Sequence, residues 1–479
     1  VAPSTIPAAV DAAAERFGDN EAVVDGEVRL TYRDLRTRVR QVAAAFVAGG
    51  LRPGDRVAIC APNTWHWVVA ALGASCAGGV LVPVNTRFTA PEMLDVISRS
   101  EAAALVVATD FLGRNRLAEL QELGGVPGFV LVCDDWSFVD EVDAVAVQPD
   151  DISDILFTSG TTGRSKGAMS AHRQALAVAA AWADCGNVVA DDRYLVINPF
   201  FHSFGYKAGI LVCLLTGATL VPQAVFDVAR TRELVERERI TVLPGPPTIY
   251  QSLLSEPGCD SLRLAVTGAA TVPIALVERM QKRFGTVLTA YGLTEAVVAT
   301  MCRPDDDADT VAHTSGRATA GFEVKIASSG EILLRGPNVM IGYLDDAAAT
   351  AAAIDADGWL HTGDVGILDD RGYLTITDRL KDMYVCGGFN VYPAEVEQAL
   401  ARLAGVTESA VIGVPDERMG EVGKAFVVAS TTLSTEDVIE HCRALVANYK
   451  VPRHVEFLSA LPRNPSGKVL KRLLREEVR

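Results

Sequence analysis

The sequence predicts an α/β fold: a large N-terminal domain of doubly wound, mostly parallel sheets with a small β-rich subdomain, followed by a small α+β C-terminal domain. Three observations predict it. The first part of the chain, to about residue 300, alternates helical patterns with short β-branched runs, the rhythm of parallel strands covered by helices on both faces. Between roughly residues 320 and 377 the texture changes to short strands punctuated by Ser329-Gly330, Asp357-Gly358 and Asp370-Arg371-Gly372, which places a β-rich subdomain at about 305–378. At 479 residues the chain also exceeds what one hydrophobic core usually organises, so two or three domains are expected.

In order, Ala8–Phe17, Tyr32–Ala48 and Ala90–Ser98 read as helices, and Val57–Cys60, Val80–Val84 and Ala104–Ala108 as buried strands. The charge-free stretch Trp67–Thr86 has the length of a membrane span, but Gly78-Gly79 and Pro83 make it a buried helix leading into a core strand. Tyr194–Asn198, Thr219–Pro222, Ile240–Leu243 and Leu264–Thr267 continue the strand rhythm. Beyond Lys381, Pro393–Leu403 is a helix with proline at its favoured first position. Ser409–Val414 and Ala425–Ala429 are strands, and Glu436–Val446 is a second helix.

Hydrophobic residues make up 49% and charged residues 22%, an ordinary globular balance. The net charge of −16 argues against nucleic-acid binding, and anionic ligands must find local cations against an unfavourable field. The nine cysteines form no C-x-x-C pair and several lie in apolar runs such as Val57–Cys60, so free buried thiols and a cytoplasmic location are expected. No zinc constellation emerges from the seven histidines, and no basic-then-apolar leader opens the residues given. Stable membrane insertion is not expected. A homodimer is compatible with the sequence, but no residue decides it.

The most telling segment is Leu156-Phe157-Thr158-Ser159-Gly160-Thr161-Thr162-Gly163-Arg164-Ser165-Lys166-Gly167, with five hydroxyls, three glycines and two cations directly after an apolar strand. Main-chain N–H groups and hydroxyls in such a loop can surround phosphate oxygens while Lys166 balances their charge. Its spacing is not that of the Walker loop, because Lys166 is followed by glycine rather than Ser or Thr. An Ala-rich helix begins after Ser170.

Thr158–Gly167 resembles the signature loop of the acyl-adenylate-forming superfamily: acyl-CoA synthetases, luciferases and adenylation domains of peptide synthetases. Further motifs of that family recur in its order: Tyr291-Gly292-Leu293-Thr294-Glu295, Thr362-Gly363-Asp364, Asp378-Arg379-Leu380-Lys381-Asp382 and Pro465-Ser466-Gly467-Lys468. The resemblance implies an AMP-forming acid–CoA ligase using ATP, Mg²⁺ and coenzyme A. A carboxylate first displaces pyrophosphate to give acyl-AMP, and the coenzyme A thiol then displaces AMP.

By that resemblance, Thr158, Ser159, Gly160, Thr161, Thr162, Gly163 and Lys166 hold the β and γ phosphates. Thr294 donates to the α-phosphate, and Glu295, with Thr162, is a magnesium ligand. Tyr291 and Gly292 face adenine, Gly268-Ala269-Ala270 lines the nucleotide, Asp364 accepts from the ribose hydroxyls and Arg379 reaches the nucleotide. Lys468 bonds the carboxylate and ribose-phosphate oxygens during adenylation. The domain 383–479 then rotates about a hinge at 379–382 with Lys381 as pivot, and Gly387-Gly388 let the pantetheine arm pass. Lys450, Arg453 and Lys471 are candidates for the coenzyme A phosphates. Taken alone, Thr294-Glu295 would read as a capped helix start.

Phe200-Phe201-His202-Ser203-Phe204-Gly205 resembles the family's aromatic motif between the acyl pocket and the thiol channel, with His202 as pocket lining or gate. Pro199–Gly209 and Leu243–Thr248 resemble ligases of actinobacterial steroid breakdown, which activate a hexahydroindanedione propanoate. A wide apolar pocket shaped by Phe201, Phe204, Pro246 and Gly292, with Tyr206 or Lys207 reaching a ketone, is the corresponding expectation. A medium- or long-chain fatty acid, loading of a carrier protein in trans, and a non-catalytic acyl binder are the competing readings. Ser165, where the family often has proline, and Cys386 depart from its pattern.

Overall fold

The computed structural model describes residues 2–133, 136, 140–158, 165–255, 259–268, 272–380, 382–387, 389–464 and 468–476, without the side chain of Asn390. Two large sheets dominate the N-terminal part. In one, the strands Thr286–Leu293, Leu264–Gly268, Val242–Gly245, Arg193–Val196, Thr219–Pro222 and Glu21–Asp25 lie side by side in that order, all parallel, with antiparallel strands closing both edges. In the other, Ile152–Thr158, Val80–Pro83, Arg56–Cys60, Ala102–Val107 and Phe129–Val132 run parallel, and Lys166–Ala171 and Gly342–Tyr343 extend them antiparallel. One apolar cluster joins both sheets, with Ile59 and Leu81 packed together with Leu220 and Val266. The fold class is therefore the one the alternating pattern predicts.

Local chemistry sets the elements. Thr31 and Asp34 form a reciprocal cap that starts the helix Tyr32–Ala48, and Thr89 with Glu92 does the same for Ala90–Arg99. The charge-free stretch forms the helix Trp65–Cys76, buried from Trp67 onward, and then the strand Val80–Pro83. No described helix is long and apolar enough to cross a membrane. All nine cysteines are buried, and none forms a disulfide among the described residues.

The strands Glu323–Ile326, Glu331–Arg335, Leu360–Leu368 and Leu374–Arg379 form a separate antiparallel sheet. Its core of Ile332, Leu334, Leu360 and Leu374 also takes in Tyr291 and Tyr343 from the large sheets, so the subdomain packs directly on the site. The C-terminal residues have their own core, which includes Tyr384, Val411, Phe426 and Leu474. There the hairpin strands Val406–Asp416 and Gly420–Ala429 outrun the expected Ser409–Val414 and Ala425–Ala429. Asp416 Oδ1 accepts from the backbone N–H groups of Arg418 and Met419, which closes the turn tightly enough to extend the ladder to its end.

Candidate active site

A cavity of about 1030 Å³ opens between the N-terminal sheets, the small antiparallel sheet and the C-terminal residues, and Pro246, Tyr291, Gly292, Asp364, Arg379 and Lys468 line it together. Tyr291 and Gly292 end the strand Thr286–Leu293, which turns at Thr294-Glu295 into the antiparallel strand Ala296–Met301. Thr294-Glu295 is thus a hairpin turn and not a helix start. Backbone closeness requires glycine at this strand end: a Cβ on Gly292 would lie 2.5 Å from the Val298 nitrogen, and one on neighbouring Gly268 2.4 Å from the Ala290 oxygen.

Asp364 pairs across the small sheet with Arg379. Its Oδ1 lies 3.0 Å from Arg379 Nε, and its Oδ2 accepts from the Tyr291 hydroxyl at 2.7 Å. Burial and the Asp364 charge both push the Tyr291 phenol up, so it remains a donor at neutral pH. Each carboxylate oxygen has a second lone pair for a ligand hydroxyl.

At the other end, Thr158 closes the strand Ile152–Thr158 and faces Lys166 across the ladder. A strand, Lys166–Ala171, separates this loop from the helix His172–Gly186, where the sequence suggested only the helix. Lys166 Nζ sits 4.8 Å from the Tyr343 ring centroid, and the Tyr343 hydroxyl donates to Glu295 Oε1 at 2.7 Å. Tyr343 therefore brings Lys166 and Glu295 into one neighbourhood, a contact the sequence did not reveal. Among the described residues no group of three or more His, Cys, Asp or Glu could cage a metal ion alone. A single carboxylate, Glu295, fits magnesium that takes its remaining ligands from phosphate oxygens and water.

Lys468 comes from the C-terminal residues, where its N–H donates to Asn464 Oδ1 at 2.8 Å. It lies close enough to His202 for its charge to act there. Burial first, and Lys468 second, push the His202 imidazole down to about 4, so the ring is neutral at neutral pH. His202 Nδ1 accepts from the Phe204 N–H at 3.2 Å, which puts the ring proton on Nε2. His202 thus suits a lining or gating role and not that of a cationic donor.

Several expectations fall elsewhere. Phe204 packs edge-on against Trp182, and Phe201, three residues earlier, is half-buried. Tyr206 and Lys207 do not open towards a ketone. Both lie in the π-helical segment Tyr206–Leu211, buried throughout, with the Tyr206 ring against Trp67. Lys207 Nζ is 2.9 Å from Asp154 Oδ1 and 2.8 Å from Ser170 Oγ, with the lysine and the aspartate both buried. The buried Asp154 charge draws the ammonium inward, and removing either partner would cost about 3–5 kcal/mol. The coenzyme A candidates Lys450 and Lys471 are paired with Glu395 and Glu397, at 2.6 and 2.8 Å. Gly387 occupies the turn between Tyr384–Cys386 and Phe389–Val391 with φ +58°. Ser159, Gly160, Thr161, Thr162, Gly163, Ala269, Ala270, Lys381, Gly388 and Pro465-Ser466-Gly467 lie outside the described residues.

Comparison with known proteins matches residues 10–344 to the family described as AMP-binding enzyme, and residues 395–468 to the AMP-binding enzyme C-terminal domain. The chain is 60% identical to the 3-[(3aS,4S,7aS)-7a-methyl-1,5-dioxo-octahydro-1H-inden-4-yl]propanoyl:CoA ligase of Rhodococcus jostii, covering 99% of each chain. It is 57% identical to the protein of the same name from Mycobacterium tuberculosis, covering 98% of each. Its fold is similar to ATP-bound MatB from Rhodopseudomonas palustris, with a TM-score of 0.91, 31% identity and coverage of 99% and 98%. The chain belongs to the AMP-binding enzyme family.

Proposed function

We propose that this chain is an ATP-dependent acid–CoA ligase that activates a steroid-derived hexahydroindanedione propanoate in the cytoplasm. The observation that carries the ligase reading is the convergence of Lys468, from the far end of the chain, with Tyr291, Asp364 and Arg379 around one cavity. The bicyclic substrate is supported by the end-to-end similarity to the Rhodococcus and Mycobacterium ligases.

The residues divide the work. Asp364 and Tyr291 hold the nucleoside, and Lys166 faces the phosphates that leave as pyrophosphate. Glu295 would hold magnesium, which neutralises developing phosphate charge. Thr294 and Lys468 donate to the oxygens around the α-phosphate while the carboxylate attacks in line, so the site supplies position and charge, not a covalent group. Residues 383–479 then turn about 379–382, Lys468 withdraws, and the coenzyme A thiol reaches the acyl-adenylate past Gly387.

Lys468→Ala should slow acyl-AMP formation by about 10²-fold, the usual effect of losing one transition-state donor. It should largely spare thioester formation from supplied acyl-AMP, and equal losses in both assays would remove the role assigned to it. The substrate is tested by acid-dependent pyrophosphate release with the indanedione propanoate, octanoate, palmitate and benzoate. The indanedione propanoate should give the highest kcat/KM. A higher value for octanoate or palmitate would overturn the steroid assignment and leave the ligase standing.

A further inference from the structure

The turn that presents Asp364 does not hold itself. Glu331 pairs with Val365 and Leu333 with His361 in the ladder between Glu331–Arg335 and Leu360–Leu368, so one residue, Ile332, faces the three residues Thr362, Gly363 and Asp364. The extra residues bulge out and lose regular ladder partners. Gly363 takes φ +71° at the apex, where glycine is free of strain. Side chains replace the missing bonds. Glu331 Oε1 accepts from the Gly363 N–H at 2.9 Å, and Oε2 lies 2.9 Å from His361 Nδ1. Thr362 Oγ1 accepts from the Asp364 N–H at 3.1 Å and donates to the Ile332 carbonyl at 2.7 Å. Glu331 itself is only 9% exposed.

We propose that Glu331 is a positioning residue for the nucleotide: its carboxylate, spanning the Gly363 N–H and His361 Nδ1, fixes the bulge that aims Asp364 at the ribose. A carboxylate suits the task because its two oxygens accept independently, and bonds to an ionised acceptor are shorter and stronger than neutral ones. Glu331 touches no ligand in this arrangement and acts through Asp364. The inference rests on Asp364 being the ribose acceptor.

The test compares kcat/KM for ATP with that for 2′-deoxy-ATP in acid-dependent pyrophosphate release, a ratio that a general loss of stability does not move. Asp364→Asn should bring the ratio close to one. Glu331→Asp keeps the charge but is one methylene too short to span both partners, and should lower the ratio by about threefold or more while the KM for the acid stays unchanged. Glu331→Gln keeps the reach and should retain most of the discrimination. In the double variant Glu331→Asp/Asp364→Asn the ratio should fall no further than in Asp364→Asn alone. If Glu331→Asp is not recovered folded, His361→Ala reads the same ratio, with a smaller expected fall. An unchanged ratio in Glu331→Asp or its substitute, beside a collapsed ratio in Asp364→Asn, overturns the proposal. An unchanged ratio in Asp364→Asn shows instead that the ribose reading has failed, and the proposal falls with it.

Discussion

Asp364 and Asp378 lie on neighbouring strands of the small sheet, where Asp364 pairs with Arg379 and Val365 with Asp378. Both carboxylates are 5% exposed and both line the same cavity. Their partners differ. Asp364 has a guanidinium and a phenol against its oxygens. Among the described residues, Asp378 accepts from backbone N–H groups, of Arg379 at 2.6 Å and Ala394 at 2.8 Å. Burial pushes its carboxyl up to about 6, with Lys471 pulling the other way and Glu397 adding to the rise. Equal burial therefore goes with two different surroundings: one carboxylate is paired with a guanidinium and a phenol, and the other, held by backbone N–H groups, titrates near neutrality. The first is the carboxylate proposed to hold the nucleotide. The second sits where the chain passes to the C-terminal residues, bonded to the first turn of their helix Pro393–Leu400.

The largest effect is expected at Asp364. Replacing it with asparagine removes a charged acceptor and should lower kcat/KM for ATP by about 10- to 100-fold in pyrophosphate release. A loss below about twofold would mean that the better-partnered carboxylate is structural. Asp378 comes next, through pH. Its native pKa is raised from 3.8, so the folded protein binds this proton more readily than the unfolded chain. The ionised group costs stability above pH 6, by about 2–3 kcal/mol, and that cost is relieved as pH falls from about 6 towards 4. Asp378→Asn cannot titrate. Thermal unfolding between pH 7 and 5 should therefore show the wild type gaining on the variant as pH falls, whereas a constant gap would show that Asp378 does not titrate near neutrality.

The smallest effect concerns the contact that holds the C-terminal residues beside these carboxylates. Gln398 Nε2 donates to the Val272 carbonyl at 3.2 Å, and its Oε1 accepts from the Ile274 N–H at 3.4 Å. Gln398→Ala should slow single-turnover acyl-AMP formation by about two- to fivefold, the worth of roughly one net hydrogen bond, without slowing the coenzyme A step. A loss confined to the coenzyme A step would place this contact in the other half-reaction.

The periodic elements were readable because burial on both faces leaves continuous apolar runs; the helix Tyr32–Ala48 begins and ends where its cap and its glycine put it. What could not be read were the long-range pairings. Nothing near Lys207 in sequence announces Asp154, and a lysine beside a tyrosine in an aromatic motif looks like a pocket anchor until the two strands flanking the phosphate loop are brought against it. Tyr343 and Glu331 were missed for the same reason, since each meets residues far away in sequence through side-chain bonds. Thr294-Glu295 shows the converse, where a local cap signal is overruled by the antiparallel edge of a large sheet.

The cationic wall of the cavity has a consequence for how anions enter it. Lys450, Lys471, Arg463 and Arg475 are each closed onto a carboxylate of the same chain: Glu395, Glu397, Glu408 and Asp382. A phosphate arriving at these four cations would have to trade places with a resident acid, as on an ion-exchange resin. Exchange of this kind would leave little net attraction at a distance in a chain of charge −16, so capture there would depend on short-range fit and vary only weakly with salt. Selectivity at such a wall would follow from geometry, favouring a ligand that turns several of these pairs at once over a lone inorganic ion.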